Sequence, residues 1–189
     1  SLDGVIYEEY NEKLTVNNCI SYINEVVEYI KKEFENKEIS IVATSFGAYV
    51  TINKLIKEDV NEFKNIVLRC PAIDMKNILV NVLIKDDIER FKKEGKIKAG
   101  FEKKQELTYS FYEDLCANDI IKTYNKKLKM IILQGTEDDV APIKDTYEFM
   151  KKDSENQSIC KQYGETFEYR GIQYPFMKGK DSFTVKRII

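Results

Sequence analysis

At 189 residues the chain is long enough to bury one sizeable core, and its 30 basic and 32 acidic residues leave a formal charge of −2. That balance offers no positive field to nucleic acid and no basic face to an anionic membrane, and no run approaches the roughly 20 uncharged apolar residues that span a bilayer. The opening Ser1-Leu2-Asp3-Gly4-Val5 does not resemble a secretory signal, so a soluble cytoplasmic protein is expected, without metal or cofactor: Cys19, Cys70, Cys116 and Cys160 stand far apart, and no histidine completes a mixed zinc site.

From residue 15 to 33 the apolar residues Val16, Cys19, Ile20, Ile23, Val26, Val27 and Ile30 recur at helical spacing, which predicts an amphipathic helix. Residues 38–43 are β-branched and nearly uninterrupted, as in a parallel strand covered on both faces. Helical periodicity returns over 46–57 through Val50, Ile52, Leu55 and Ile56. A second buried strand is predicted at 65–70, stopped by Pro71, and its Cys70 reads as a small buried hydrophobe. Between residues 75 and 125 the pattern is charged and helical, with helices predicted at 77–93 and 104–115 and no strand. A third strand at 129–134 stops at Gly135, and Pro142 opens a helix over 142–152. Residues 158–163 read as a strand, and 166–177 as a hairpin turning at Arg170-Gly171. Strands alternating with helices predict a single α/β domain over 1–189, with a mostly parallel sheet, flanking helices and a helical cap insertion at about 75–125.

Two segments carry chemistry. Ala43-Thr44-Ser45-Phe46-Gly47 stands after a buried strand and before a helix, where small-x-Ser-x-Gly forms a sharp turn. The small residues at 43 and 47 are expected to serve close packing. Ser45 would rise above the sheet edge, and the Phe46 N–H, at a helix N-terminus, would face an oxyanion formed when Ser45 attacks a carbonyl. The competing reading is an ordinary strand-to-helix turn with Ser45 as N-cap. The second segment, from Lys129 through Gly135-Thr136-Glu137-Asp138-Asp139 to Pro142, places an acid three residues beyond the glycine that ends a strand. Asp138 suits that spacing better than Asp139, and the alternative is that both acids solvate a turn.

With these two segments in this order the chain resembles the α/β-hydrolase superfamily, the group of serine esterases, lipases and prolyl-oligopeptidase-like peptidases. The resemblance implies Ser45 as nucleophile, Phe46 as oxyanion donor, Asp138 as the orienting acid, and an ester or related acyl compound as substrate. The stretch from Ile66 through Pro71-Ala72 resembles the strand that follows the elbow helix, and the resemblance covers roughly residues 1–150.

Two departures from the pattern stand out. The family's histidine follows the last strand, and the nearest match is Gly179-Lys180-Asp181-Ser182-Phe183, where a serine stands in its place. A hydroxyl does not accept a proton near neutral pH as imidazole does, so the base is unassigned near Asp181 and Ser182, with Lys178 or Lys180 as the lysine alternative. The opening is also short: only Ser1-Leu2-Asp3-Gly4 resembles the family's glycine-serine loop, which implies missing N-terminal strands and a sheet edge open to self-association. Two further functions compete with a hydrolase. One is a non-catalytic member of the same fold, serving ligand binding or protein association. The other is a flavodoxin-like or nucleotide-binding domain, which would need phosphate-cradling glycines that this chain lacks.

Overall fold

The computed structural model describes residues 14–152, apart from 36, 59–60, 86 and 101–103, and the backbone of residues 157–163, 166–169 and 172–175. Helix α1 (Val16–Glu33) starts at Thr15, whose hydroxyl accepts from the Asn18 N–H at 3.1 Å, and it buries Val16, Ile20 and Val27. Strand β1 (Ile39–Thr44) passes through Ser45 into α2 (Phe46–Lys57), which packs against both α1 and β1. Strand β2 is Phe63–Arg69. After the insertion come β5 (Met130–Gly135), α7 (Ile143–Met150), β6 (Gln157–Tyr163), β7 (Thr166–Tyr169) and β8 (Ile172–Pro175). The predicted strand at 158–163 and the hairpin after it are therefore present, while Arg170 and Gly171 lie outside the described residues.

These strands form one sheet in the order β1-β2-β5-β6-β7-β8, parallel from β1 to β6 and antiparallel in the last two pairings. The register pairs Ala43 with Leu68 and Leu68 with Ile132, which puts these three side chains on one face. All three are buried, together with Ile66 and Met130, in one core with Ala48, Ile52 and Leu55 of α2. The opposite face departs from the expectation of a strand covered on both sides. There Val42 is 72 % exposed and Ile131 42 %, and Ser40, Thr44, Asn65 and Arg69 are exposed with them. The β-branched run at 38–43 reports strand propensity correctly, but its outward residues include Ser40 and Thr44, which water tolerates.

The insertion differs from its predicted all-helical form. Instead of one helix over 77–93 there is a short helix α3 (Met75–Ile78), a π-helical turn (Leu79–Leu83), and a separate α4 (Ile88–Glu94). Lys85 lies between them at φ 54°, a left-handed conformation that ends the first segment. Gly95, at φ 74°, then stops α4. Strands β3 (Lys96–Ala99) and β4 (Gln105–Thr108) form an antiparallel pair, so the helix predicted from 104 begins only at α5 (Tyr109–Ala117). Lys96-Ile97-Lys98-Ala99 alternates with period two, and Ile97 and Ala99 are buried with Leu107 opposite, so a strand signal was present under the surrounding charge. Helix α6 (Ile120–Thr123) closes the insertion. Its cap Asp119 also pairs with Lys76 of α3, and Asp114 of α5 accepts the Val16 N–H at 2.6 Å, which ties the insertion to α1.

Among the described residues no helix is long and apolar enough to cross a membrane. Ile132, fully buried at the centre of the sheet, is expected to be the most sensitive strand position. Ile132→Ala should lower the unfolding free energy by about 2–5 kcal/mol in urea titration; a loss below about 1 kcal/mol would place it outside the core.

Candidate functional site

Strands β1 and β2 end level with Leu133 of β5, which continues through Gln134 and Gly135 beside β6. Ser45 continues the ladder by donating its N–H to Arg69 O at 3.0 Å, and Cys70 does the same to Leu133 O at 2.7 Å. Ser45, Cys70 and Gln134 therefore stand side by side at the C-terminal edge of the sheet, with two strand spacings, about 10 Å, between the first and the last.

Ser45 turns the chain sharply. Its φ of 50° and ψ of −118° lie in a region that non-glycine residues rarely adopt, and the strain is held by hydrogen bonds on both sides of its peptide units. Besides the bond to Arg69, the Ser45 carbonyl accepts from the N–H groups of Ala48 at 3.1 Å, Tyr49 at 3.2 Å and Ala72 at 3.2 Å. The Ser45 side chain is exposed and makes no capping bond to α2, which removes the N-cap explanation for a serine here. The first turn of a helix leaves four N–H groups without helical partners. Of these, Ser45 donates its own to Arg69 O and Ala48 turns its back onto the Ser45 carbonyl, Tyr49 makes the first regular helical bond, and among the described residues no acceptor takes those of Phe46 and Gly47. Both are thus available to an anion beside the Ser45 hydroxyl.

Among the described residues a Cβ at Gly47 would meet nothing within 4 Å, so none of them requires the glycine for close packing, and its φ is not in the left-handed region. Ala43, by contrast, faces the core and is buried. Phe46 is half-buried, stacked on Tyr49 with centroids 5.9 Å apart and edge-on to Phe111 at 6.0 Å. Phe111 belongs to α5, so the insertion meets the sheet domain directly beside Ser45. Tyr49 donates its hydroxyl to Asn118 O at 2.9 Å, and burial holds its phenol well above the usual range.

Asp138 sits in the loop between β5 and α7. Its Oδ1 accepts from the N–H groups of Val140 at 3.1 Å and Ala141 at 2.8 Å, and its Oδ2 from Gln134 Nε2 at 3.3 Å. Asp138 is half-buried, whereas Asp139 is exposed. The Cys70 thiol lies against the same loop. Burial pushes its pKa up, the Gly135 N–H pulls it down, and the charge and hydrogen bonding of Asp138 raise it further. Such a thiol stays protonated near neutral pH, which does not suit a nucleophile, and Cys70 is half-buried where a fully buried hydrophobe was expected. Nearby, Asp145 in the first turn of α7 is also raised, by burial first and then by the charge of Asp74.

Ser45 and Asp138 thus come to one edge of the sheet. Asp181, Ser182, Lys178, Lys180 and the segment Ser1-Leu2-Asp3-Gly4 lie outside the described residues, and among the described residues no group of His, Cys, Asp and Glu side chains could hold a metal ion. Sequence reading passed over two features. Cys70 adopts φ 43°, a second left-handed residue at the same level, with nothing in its residue type to announce it. Gln134 is fully buried, and its signal was available: it continues the inward register of Met130 and Ile132, where an apolar residue is the rule.

No family model and no curated protein matches the chain. Solved structures do. Est1E from Butyrivibrio proteoclasticus, determined with ferulic acid bound, is 19 % identical with a TM-score of 0.65, over 80 % of this chain and 60 % of that one. Alpha/beta hydrolase domain-containing protein 10 from mouse is 11 % identical with a TM-score of 0.61, over 80 % and 61 %. The monoacylglycerol lipase of Paleococcus ferrophilus is 12 % identical with a TM-score of 0.54, over 80 % and 66 %. The chain thus spans about 60 % of the length of the first two and 66 % of the lipase.

The strain at Ser45 has a measurable consequence. Ser45→Gly should raise stability by about 1 kcal/mol, because glycine adopts positive φ freely, whereas Ser45→Ala keeps the strain and should stay within about 0.5 kcal/mol of the parent. Urea unfolding of the three proteins measures the difference, and a glycine variant no more stable than the alanine variant would contradict it.

Proposed function

We propose, from the α/β-hydrolase fold that the chain carries, that it is a serine hydrolase acting on an ester or related acyl compound, with Ser45 on a nucleophile elbow. One observation carries the reading: an exposed serine in a strained left-handed turn, its hydroxyl unused by the helix that follows it. A plain turn at this place would use glycine or asparagine, or would spend the hydroxyl as a cap. Strain that the fold maintains at an exposed nucleophilic side chain is what chemistry at that side chain requires.

In the proposed reaction Ser45 Oγ attacks the substrate carbonyl carbon. The carbonyl π electrons move onto oxygen, and the Phe46 N–H, at the N-terminus of α2, donates to that oxyanion. Collapse breaks the bond to the leaving group and leaves an acyl group on Ser45, which water then removes. The Ser45 proton passes to a base; that group is unassigned, with the neighbourhood of Asp181 and Ser182 as its place in the sequence. Asp138 is the orienting acid that fixes the base. The insertion at 75–125 acts as the cap, meeting the elbow through Phe111 and Phe46 and shaping the acyl pocket. The ferulic acid bound to Est1E, and the name of the monoacylglycerol lipase, support a small-molecule substrate. A cytoplasmic setting and self-association through the β1 edge complete the proposal. Among the described residues β1 pairs only with β2, and Val42 stands exposed on it.

Two experiments test these parts. A fluorophosphonate probe should place a single phosphonate on Ser45, located by peptide mass spectrometry, and Ser45→Ala should abolish the label while leaving the circular dichroism spectrum unchanged. Absence of labelling in folded protein at saturating probe would move the chain to the non-catalytic, ligand-binding reading. For the edge, sedimentation should give a concentration-dependent dimer that Val42→Lys converts to monomer; a parent that is monomeric at all concentrations removes the self-association.

A further inference from the structure

We propose that Gln134 is a positioning residue that holds the Asp138 loop against the sheet; its role in chemistry rests on reading Asp138 as the orienting acid. A fully buried amide costs roughly 1–3 kcal/mol for each group left unpaired, so a glutamine persists at an inward strand position only where its bonds are made. Here they are made. Gln134 Oε1 accepts from the buried Thr146 hydroxyl of α7 at 3.1 Å, and the amide's orientation follows from the carboxylate and carbonyl oxygens at its other end, which only accept. Its Nε2 donates to Ala141 O at 2.9 Å and to Asp138 Oδ2 at 3.3 Å, with Gly135 O at 3.5 Å.

These contacts join three pieces that are separate in the chain: the end of β5, the far end of the loop at Ala141, and the body of α7. Asp138 Oδ1 closes the loop upon itself through the N–H groups of Val140 and Ala141, and that closure lasts only while Oδ2 and the Ala141 carbonyl are held to the sheet. The Gln134 side chain, rooted in β5 between Met130–Leu133 and the loop, supplies that hold and directs Oδ2. A leucine would serve the core equally well at this position. It would leave the Thr146 hydroxyl and the Ala141 carbonyl without this partner and would free the carboxylate to swing.

The test uses Gln134→Met in the whole chain, with two readouts. By hydrogen exchange, the amides of Val140 and Ala141 should exchange about tenfold faster than in the parent, the scale of one lost buried hydrogen bond, while those of Ile131 to Leu133 stay protected. Unchanged exchange at Val140 and Ala141 overturns the hold. If the methionine variant does not fold, Thr146→Val, which releases only the amide oxygen, is read the same way. The second readout is a double-mutant cycle on the rate of Ser45 phosphonylation. Gln134→Met should slow it about tenfold in the parent and not further in Asp138→Asn, since the effect passes through that carboxylate. Equal slowing in both backgrounds would make Gln134 a general support of the fold and overturn the positioning role. If Ser45 takes no label even in the parent, the hydrolase reading falls, and the exchange measurement still decides whether Gln134 holds the loop.

Discussion

The left-handed turn at Ser45 is the constraint on which the rest of the arrangement depends. A backbone at φ 50° and ψ −118° costs a non-glycine residue roughly 1–3 kcal/mol, so it persists only where its surroundings determine it fully. They do so here through the ladder bond to Arg69 and through three N–H donors on the Ser45 carbonyl, two from α2 and one from Ala72 beyond β2. The turn is therefore locked by the adjacent strand as well as by its own helix. Its effect is to lift the hydroxyl clear of the helix and to leave the N–H groups of Phe46 and Gly47 free among the described residues.

The parallel sheet then determines what stands near that hydroxyl. Because β1, β2 and β5 run in register, Ser45, Cys70 and Gln134 arrive together: a serine, a thiol whose pKa is raised, and a buried glutamine followed by an acid loop. This edge, outside the carboxyl ends of parallel strands, is where open α/β sheets place their ligands. The α/β-hydrolase fold shared with Est1E, the mouse protein and the lipase is of one piece with this layout, although it fixes neither the substrate nor the base. The absence of histidine from the sequence remains the point at which this chain parts from the pattern it resembles.

Much of the framework was legible because buried parallel strands and amphipathic helices leave strong periodic traces. The helix at 46–57 and the strand at 129–134 were read to within a residue or so of their ends. That Ser45 and Asp138 each follow a strand at a turn was legible in the sequence. Their settings were not: a positive φ at Ser45 or Cys70 arises from hydrogen bonds between elements far apart in sequence. The insertion was misread for a related reason. Dense charge around Lys96-Ile97-Lys98-Ala99 masks a four-residue alternation that becomes a strand only when Gln105–Thr108 pairs with it. Gln134 was overlooked because an apolar strand was read as a whole, and the polar residue in its inward register was not asked for its partners.

On the proposed function, the strain at Ser45 serves a nucleophile. The decisive experiment is a crystal structure of the chain after reaction with an alkyl fluorophosphonate, which loses fluoride as phosphorus bonds to Ser45 Oγ. The expected result is covalent density on Ser45 Oγ, the positive φ retained, and a phosphoryl oxygen within hydrogen-bond reach of the Phe46 N–H. An unmodified Ser45 with its backbone relaxed to the extended region would contradict it.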